Sequence, residues 1–316
     1  MKYLNSIKEL IGNTPIIKLN NLDIKPGVNI FAKLENHNPG GSVKDRIGIY
    51  MIEQAEKEGK LKPGYTIIEA TAGNTGIGVA LGAINKGYNI IFVVPEKFSA
   101  EKQALMRALG AKVINTPRET GMLGAVEKAE ELLKTIENSI SLRQFENRAN
   151  PLAHYETTGP EIYAAMDGKI DYFVSGAGSG GTFTGVTKFL KEKNKNVKGI
   201  LADPYGSTMG GGTMGCYDIE GIGNNFIPNT MDMKLVDQVI KITDEEAYAM
   251  VKTLALKEGL IVGSSSGAAV AAALKIAKTI HSGNIVTLLP DRGDRYFSKN
   301  IYPMTTLSNT HILFKV

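Results

Sequence analysis

The chain has 316 residues, of which 43% are hydrophobic and 22% charged, and it carries a net charge of +4. This composition is typical of a globular protein long enough for two domains, and the small, scattered basic excess argues against nucleic acid as a partner. No apolar run reaches the roughly 18 residues of a membrane span, so no membrane association is expected. The single cysteine, Cys216, cannot form an internal disulfide or a thiolate metal site, so we predict no metal and a reducing, cytoplasmic location.

Short β-branched apolar segments predict strands that are covered on both faces, and they alternate with amphipathic segments that predict helices. The predicted strands are Asn29–Leu34, Thr66–Glu69, Asn89–Val94, Lys112–Ile114, Tyr172–Ser175, Gly199–Asp203 and Asn284–Leu289. The predicted helices are Val43–Glu58, Ile77–Ile84, Ala100–Leu109, Met122–Ile136, Pro160–Met166, Thr184–Lys193, Asp244–Glu258 and Ser266–Ile280. This alternation predicts an α/β fold with parallel sheets, divided near residues 147–151 into two units with a ligand cleft between them.

The first segment with chemical potential is Asn38–Arg46, which reads NPGGSVKDR. A Pro-Gly-Gly turn leads into a helix with Ser42 as its expected N-cap, which places Lys44 in the first helical turn. The positive end of the helix dipole lowers the pKa of an amine there and favours a nucleophile that can form a Schiff base. The alternative is an ordinary lysine that faces solvent.

The second segment, residues 71–76, reads TAGNTG and follows a predicted strand. Backbone N–H groups at the start of the next helix, with threonine hydroxyls beside them, form a cradle for an anion such as a carboxylate. The alternative is a glycine-rich turn in which Asn74 adopts a left-handed conformation.

The third segment, residues 176–182, reads GAGSGGT and also lies between a strand and a helix. Its glycines allow a close backbone approach to a phosphate group, and Ser179 and Thr182 supply hydroxyls. The segment also satisfies the dinucleotide-binding pattern G-x-G-x-x-G, with Asp203 at 22 residues after Gly181 as the expected ribose ligand. The additional Gly180 and Thr182 favour a phosphate monoester, and the NAD site stays open as the alternative.

The fourth segment, residues 263–267, reads GSSSG and precedes an alanine-rich helix. A serine hydroxyl here is suited to a hydrogen bond with a heteroaromatic nitrogen, although Ser266 as a simple N-cap explains the pattern as well. Together the four segments supply an amine for an aldehyde, sites for a phosphate and a carboxylate, and a hydroxyl for a ring nitrogen.

These segments, in this order, resemble the β-family of pyridoxal-phosphate (PLP) enzymes, specifically cysteine synthase and cystathionine β-synthase. The resemblance extends from residues 11–15, IGNTP, to residues 289–291, LPD. It implies two twisted parallel-sheet domains of the tryptophan-synthase β-like fold, with PLP in the cleft between them, commonly as a homodimer. Residues 41–148 would then form a smaller, mobile domain that closes on the substrate. Residues 1–40 with 149–316 would form the larger domain that binds the cofactor phosphate.

The resemblance also implies a role for each matching residue. Lys44 matches the Schiff-base lysine, which also transfers the substrate proton. The other cofactor contacts match Asn74 at the ring oxygen, Gly178, Ser179, Gly180, Gly181 and Thr182 at the phosphate, and Ser265 at the pyridine nitrogen. The substrate carboxylate would be bound by Thr71, Ala72, Gly73 and Thr75, with support from Gln144.

The implied activity is exchange of the β-substituent of a small amino acid through an aminoacrylate, in cysteine and hydrogen sulfide metabolism. O-acetyl-L-serine, L-serine and L-cysteine are all possible donors, with sulfide, a thiol or water as acceptor. Ala72 departs from the family pattern, which has serine there. We therefore hypothesise that Ala72 and the Asn224–Asn225 pair adapt the pocket to L-cysteine, with Asp232 activating water. The alternative for Asp232 is a turn residue before Lys234.

Two other functions compete with this interpretation. An NAD-linked oxidoreductase built on the Gly176 segment would leave Lys44 without a role. A non-catalytic scaffold that binds the C-terminal peptide of a partner would not need Lys44 either.

Overall fold

The computed structural model describes residues 3–71, 73–299 and 301–302. Within them the chain forms two sheets with helices packed against both. The strands are β1 Ile16–Lys18, β2 Val28–Lys33, β3 Thr66–Ala70, β4 Asn89–Pro95, β5 Lys112–Thr116, β6 Ser139–Ile140, β7 Tyr172–Gly176, β8 Lys198–Pro204, β9 Gln238–Ile242 and β10 Gly283–Leu288. The helices are α1 Lys44–Lys57, α2 Asn74–Ala83, α3 Ala100–Ala108, α4 Gly121–Thr135, α5 Ala149–Ala153, α6 Gly159–Ala165, α7 Gly181–Lys193, α8 Asp244–Glu258 and α9 Ser264–Thr279.

The strand order is β1-β2-β10-β7-β8-β9 in the larger sheet and β5-β4-β3-β6 in the smaller one. The α/β fold is therefore confirmed, with one correction to the expectation of parallel sheets: β1 pairs antiparallel with β2, and the other pairs are parallel. β3–β6 come from one continuous stretch of chain, whereas the larger sheet combines strands from before and after it. The domain boundaries at residues 41 and 148 stay a prediction.

The cores of both sheets are built from the β-branched strand residues and the helix faces that cover them. Helix α2 is buried almost all round, which explains its run of small and aliphatic residues. Gly78 in α2 lets this helix approach α1, because a methyl group at position 78 would overlap the carbonyl oxygen of Lys44. No helix among the described residues is both long and apolar enough to cross a membrane.

A buried ionic network fixes the start of α1 to the larger sheet. Arg46 donates to both carboxylate oxygens of Glu35, at 2.7 and 2.8 Å, and to both of Glu161, at 2.7 Å each. Lys33 in β2 also donates to Glu161, at 2.6 Å. Burial alone would raise the pKa of Glu35, but the guanidinium of Arg46 overcomes it and lowers this pKa to about 2. Arg46, two residues after Lys44, therefore attaches the first turn of α1 to Glu35 and Glu161.

Replacement of this arginine tests the network. In Arg46→Met we expect a loss of about 3–5 kcal/mol in the free energy of unfolding, because the buried carboxylate of Glu35 is left without its cation, although Glu161 keeps Lys33. The wild-type protein should also lose stability as pH falls from about 4.5 towards 2, since the native carboxyl of Glu35 resists protonation and the unfolded one does not. Urea unfolding measures both effects, with the exposed Arg107→Met as control. Equal stability of the two variants would contradict the assignment.

Candidate active site

Lys44 is the first residue of α1, and its half-buried side chain lines a cavity together with residues 175–180. Desolvation lowers the pKa of its amine; the nearby Asp291 carboxylate opposes this shift and the Lys102 ammonium reinforces it. The pKa is lowered, as the sequence predicted, and burial is the largest cause. The helix begins one residue later than expected, after Val43, but the Ser42 hydroxyl still accepts from the Lys44 N–H at 3.2 Å. The result is an amine with an increased neutral, nucleophilic fraction.

The phosphate loop, residues 176–182, lines the same cavity along most of its length. It leaves β7 and turns into α7 through Gly180, whose φ of 81° is readily adopted only by glycine. A methyl group on Gly178 would overlap the carbonyl oxygen of Gly221 on the facing segment. The first N–H groups of the 13-residue helix α7 have no partner within the helix, and they point towards this loop. A helix start of this kind is suited to binding a phosphate group.

Neutral side chains support the phosphate loop from behind. The Thr182 hydroxyl lies 3.1 Å from Nε2 of His154, and burial lowers the pKa of this imidazole to about 3. Asn150 donates to the Ser179 hydroxyl at 2.9 Å. Because His154 stays neutral, these supports add no charge, and the helix start and hydroxyls are left to receive the anion.

The carboxylate loop, residues 71–75, joins β3 to α2. The Thr71 hydroxyl accepts from the N–H groups of Gly73 and Gly76, at 3.1 and 3.3 Å. Thr75 donates to Oε1 of Gln144 at 2.7 Å, which confirms that these two residues meet. Ala72 lies outside the described residues. Asn74 begins α2 with a helical backbone, and Gly73 carries the positive φ, so the left-handed Asn74 alternative is wrong.

Asn74 and Ser265 lie at the starts of α2 and α9, and neither is among the residues that line the cavity. The amide of Asn74 donates to Asp291 and accepts from Arg295, both at 2.7 Å. Ser265 is buried near the start of α9, and its hydroxyl lies 3.9 Å from where a Cβ on Gly221 would be. Gly221 itself lines the cavity. Gly263 caps α9, so Ser266 is not the N-cap of the sequence alternative.

Two residues of the sequence analysis lie elsewhere. Asp232 is exposed, and its carboxylate accepts from the Lys234 N–H at 3.0 Å, so the structure does not bring it into the cavity. Asp203 is buried and paired with Lys241 at 2.5 Å. An aspartate that is only 1% exposed is out of reach of a ribose hydroxyl, which argues against the NAD site.

Lys102 is a site residue that the sequence analysis missed. Its buried ammonium donates to Glu220 and to the Tyr296 hydroxyl, both at 3.0 Å, and lies 4.2 Å from the centre of the Tyr296 ring. Its methylene groups pack against Gly73. A signal was present, because Lys102 also occupies the first turn of a helix, the same unfavourable place for a cation that singled out Lys44.

Comparison with known proteins identifies the family. The model of the family described as "Pyridoxal-phosphate dependent enzyme" matches residues 7–291. The chain belongs to this family. It is 55% identical to the "O-acetylserine dependent cystathionine beta-synthase" of Bacillus subtilis, over 96% of this chain and 99% of the relative. It is 49% identical to a "Cysteine synthase" of Helicobacter pylori, over 96% of this chain and all of the relative.

Solved structures agree with this assignment. An O-acetylserine dependent cystathionine beta-synthase from Helicobacter pylori has a TM-score of 0.92 at 48% identity, covering 96% of this chain and 100% of the other. A hydrogen sulfide-producing enzyme from Fusobacterium nucleatum has a TM-score of 0.90 at 43% identity, covering 93% and 100%. The protein is therefore a PLP-dependent enzyme of the cysteine synthase family with the two-domain fold. The NAD-linked and non-catalytic alternatives are wrong.

The residues present fit the PLP cofactor. The crowded glycines of the phosphate loop leave room for a phosphate group at the start of α7, and the Lys44 amine opens into the same cavity. An amine and a phosphate site in one cavity match the aldehyde and the phosphate ester that PLP carries. The individual contacts assigned to Asn74, Gly178–Thr182 and Ser265 stay predictions.

A single added methyl group tests the phosphate loop. In Gly178→Ala the new methyl must displace the Gly221 segment or the loop, at a cost of about 1–3 kcal/mol, so PLP affinity should fall about tenfold or more. Titration of cofactor-free protein with PLP measures this affinity. Gly215→Ala is the control, because its nearest contact lies at an ordinary 3.5 Å. An unchanged dissociation constant in Gly178→Ala would remove the loop from the phosphate site.

Proposed function

We propose that this enzyme replaces the acetate group of O-acetyl-L-serine with a thiol, forming cystathionine when homocysteine is the acceptor. The likeness to the Bacillus subtilis and Helicobacter pylori enzymes named for this reaction supports the donor and the acceptor. The structural observation that carries the proposal is that the Lys44 amine and the phosphate loop share one cavity.

The cofactor supplies an aldehyde and an electron-withdrawing ring. Lys44 would bind the aldehyde covalently and, when displaced by the substrate amine, accept the proton from the substrate α-carbon. Its lowered pKa favours the neutral amine that both tasks require. Lys44 therefore combines attachment with proton transfer.

The remaining residues orient the substrate. N–H groups of the carboxylate loop would bind the α-carboxylate, with Thr75 held in place by Gln144. The Ser265 hydroxyl would hydrogen-bond the pyridine nitrogen, and a neutral hydroxyl is too weak an acid to keep that nitrogen protonated. The weaker electron withdrawal favours departure of a good leaving group, such as acetate, over transamination.

Closure of residues 41–148 over the substrate would exclude water and align the reacting groups.

We also propose that the enzyme is a homodimer and is located in the cytoplasm. The family resemblance supports the homodimer, and the single cysteine supports the reducing, cytoplasmic location.

A matched substrate panel tests the reaction. We expect O-acetyl-L-serine with homocysteine to give cystathionine with a kcat/KM at least about tenfold above that for L-serine with homocysteine, because acetate is the better leaving group. Products are quantified by mass spectrometry, and the same panel with sulfide in place of homocysteine measures cysteine formation. Lys44→Ala serves as the inactive control. Turnover of L-serine at an equal rate, or thioether formation by Lys44→Ala, would overturn the proposal.

The second candidate is release of sulfide from L-cysteine with water as acceptor, giving L-serine. It is favoured by the likeness to the hydrogen sulfide-producing Fusobacterium nucleatum enzyme and by the missing hydroxyl at Ala72. We expect Ala72→Ser to lower the rate of L-cysteine consumption relative to that of O-acetyl-L-serine. We expect Asp232→Asn to leave the rate of L-cysteine consumption unchanged, because this exposed carboxylate lies outside the cavity. If the enzyme forms neither sulfide nor L-serine from L-cysteine alone, this second candidate function is ruled out.

A further inference from the structure

Glu69 is a buried carboxylate near the end of β3, with 3% of its surface exposed. Among the described residues no cation pairs with it. Oε2 accepts from the Ser141 hydroxyl at 2.7 Å and from the N–H groups of Leu142 and Arg143 at 3.0 and 3.3 Å. Oε1 accepts from the Gln144 N–H at 3.3 Å. Four donors from one turn, residues 141–144, therefore converge on a single carboxylate.

The turn takes its shape from this carboxylate. Arg143 has a φ of 51°, a conformation that residues with a side chain rarely adopt. It allows three successive N–H groups to face one anion. Desolvation raises the pKa of Glu69, and the four hydrogen bonds counteract that shift. A buried charge and a strained backbone residue in one small turn are a costly combination that local packing alone does not require.

Gln144, at the end of the turn, contacts the carboxylate loop directly and is linked to the phosphate loop through Asn150. Its side-chain oxygen accepts from Thr75 of the carboxylate loop at 2.7 Å. Its backbone carbonyl oxygen accepts from the side-chain amide of Asn150 at 2.7 Å, and that Asn150 amide also donates to the hydroxyl of Ser179 in the phosphate loop at 2.9 Å. The phosphate loop has further support, because the Thr230 hydroxyl donates to the Ser179 carbonyl oxygen. The carboxylate loop is therefore the more dependent of the two on Gln144.

We propose that Glu69 is a positioning residue for substrate binding, which acts by fixing Gln144 under Thr75 of the carboxylate loop. The inference rests on the proposed binding of the substrate α-carboxylate at this loop. Glu69 itself touches neither substrate nor cofactor; it sets the position of the residues that do.

Glu69→Gln is the direct test. The amide nitrogen cannot accept a hydrogen bond, so at least one donor of the turn loses its partner while side-chain size is kept. We expect KM for O-acetyl-L-serine to rise about tenfold, with kcat and PLP affinity each within about twofold of wild type. The exposed Glu127→Gln on α4 is the matched control and should change none of these values. An unchanged KM in Glu69→Gln, or a tenfold loss of PLP affinity with it, would overturn the proposal.

A double-mutant cycle separates positioning from general destabilisation. If Glu69 acts through Gln144, then Glu69→Gln should change KM by less than about twofold in a Gln144→Ala background. Additive effects in the cycle would show a separate, structural role. Should Glu69→Gln not fold, Ser141→Ala removes the hydroxyl donor, together with a 3.3 Å hydrogen bond that this hydroxyl accepts from the Arg143 N–H. This variant should raise KM by a smaller factor that also vanishes in Gln144→Ala.

A ligand without a leaving group separates failure of this inference from failure of the proposed reaction. L-alanine carries the α-carboxylate and amine, and its binding is read from the visible spectrum of the bound cofactor. We expect Glu69→Gln to weaken L-alanine binding about tenfold, whether or not O-acetyl-L-serine is the natural donor. Equal L-alanine affinity in wild type and Glu69→Gln would contradict the role of Glu69 and leave the proposed reaction standing.

Discussion

The site depends on one constraint: a lysine amine must be held at a desolvated cavity that is also lined by a glycine-rich loop suited to a phosphate group. The protein meets it with helix geometry and burial. Lys44 begins α1, which is held by the close contact at Gly78 and by the guanidinium of Arg46 between two carboxylates. Because the network includes residues of β2 and α6, the lysine is fixed to the same body that carries the phosphate loop. Loss of that attachment would separate the two halves of the cofactor site.

The two ends of the site treat charge differently. The phosphate loop uses a helix start, glycines and hydroxyls, and the imidazole behind it is kept neutral by burial. The carboxylate loop is supported by charged residues instead. The side chain of Lys102 packs against Gly73, and Glu69 fixes the turn of residues 141–144, from which Gln144 contacts Thr75. Lys102 also reinforces the lowered pKa of Lys44. Buried charged residues therefore support the carboxylate loop, whereas neutral residues support the phosphate loop.

Local sequence patterns were sufficient to predict most of the strand and helix order, since strands buried on both faces leave unbroken apolar runs and helix starts leave caps and glycines. The four chemical segments were recognisable because glycine and hydroxyl residues cluster between a strand and a helix. β1, the two-residue β6 and the edge strand β9 were missed, because they are short or only half buried and leave weak patterns. The role of Glu69 depends on partners distant in the chain, and no local pattern encodes it. Lys102 did leave a local signal, a cation in the first turn of a helix, but its partners Glu220 and Tyr296 are distant in the chain. Asp203 shows the reverse case. The sequence matched a dinucleotide-binding motif, but the structure buries this aspartate and pairs it with Lys241, so it cannot bind a ribose.

The most direct test of the account is to trap the covalent link between cofactor and protein. Reduction of the holoenzyme with borohydride, followed by proteolysis and peptide mass mapping, locates the lysine that carries the cofactor. The account predicts a single modified peptide with the added mass on Lys44, and none in Lys44→Ala. Modification of Lys102, or of any lysine outside the cavity, would contradict it.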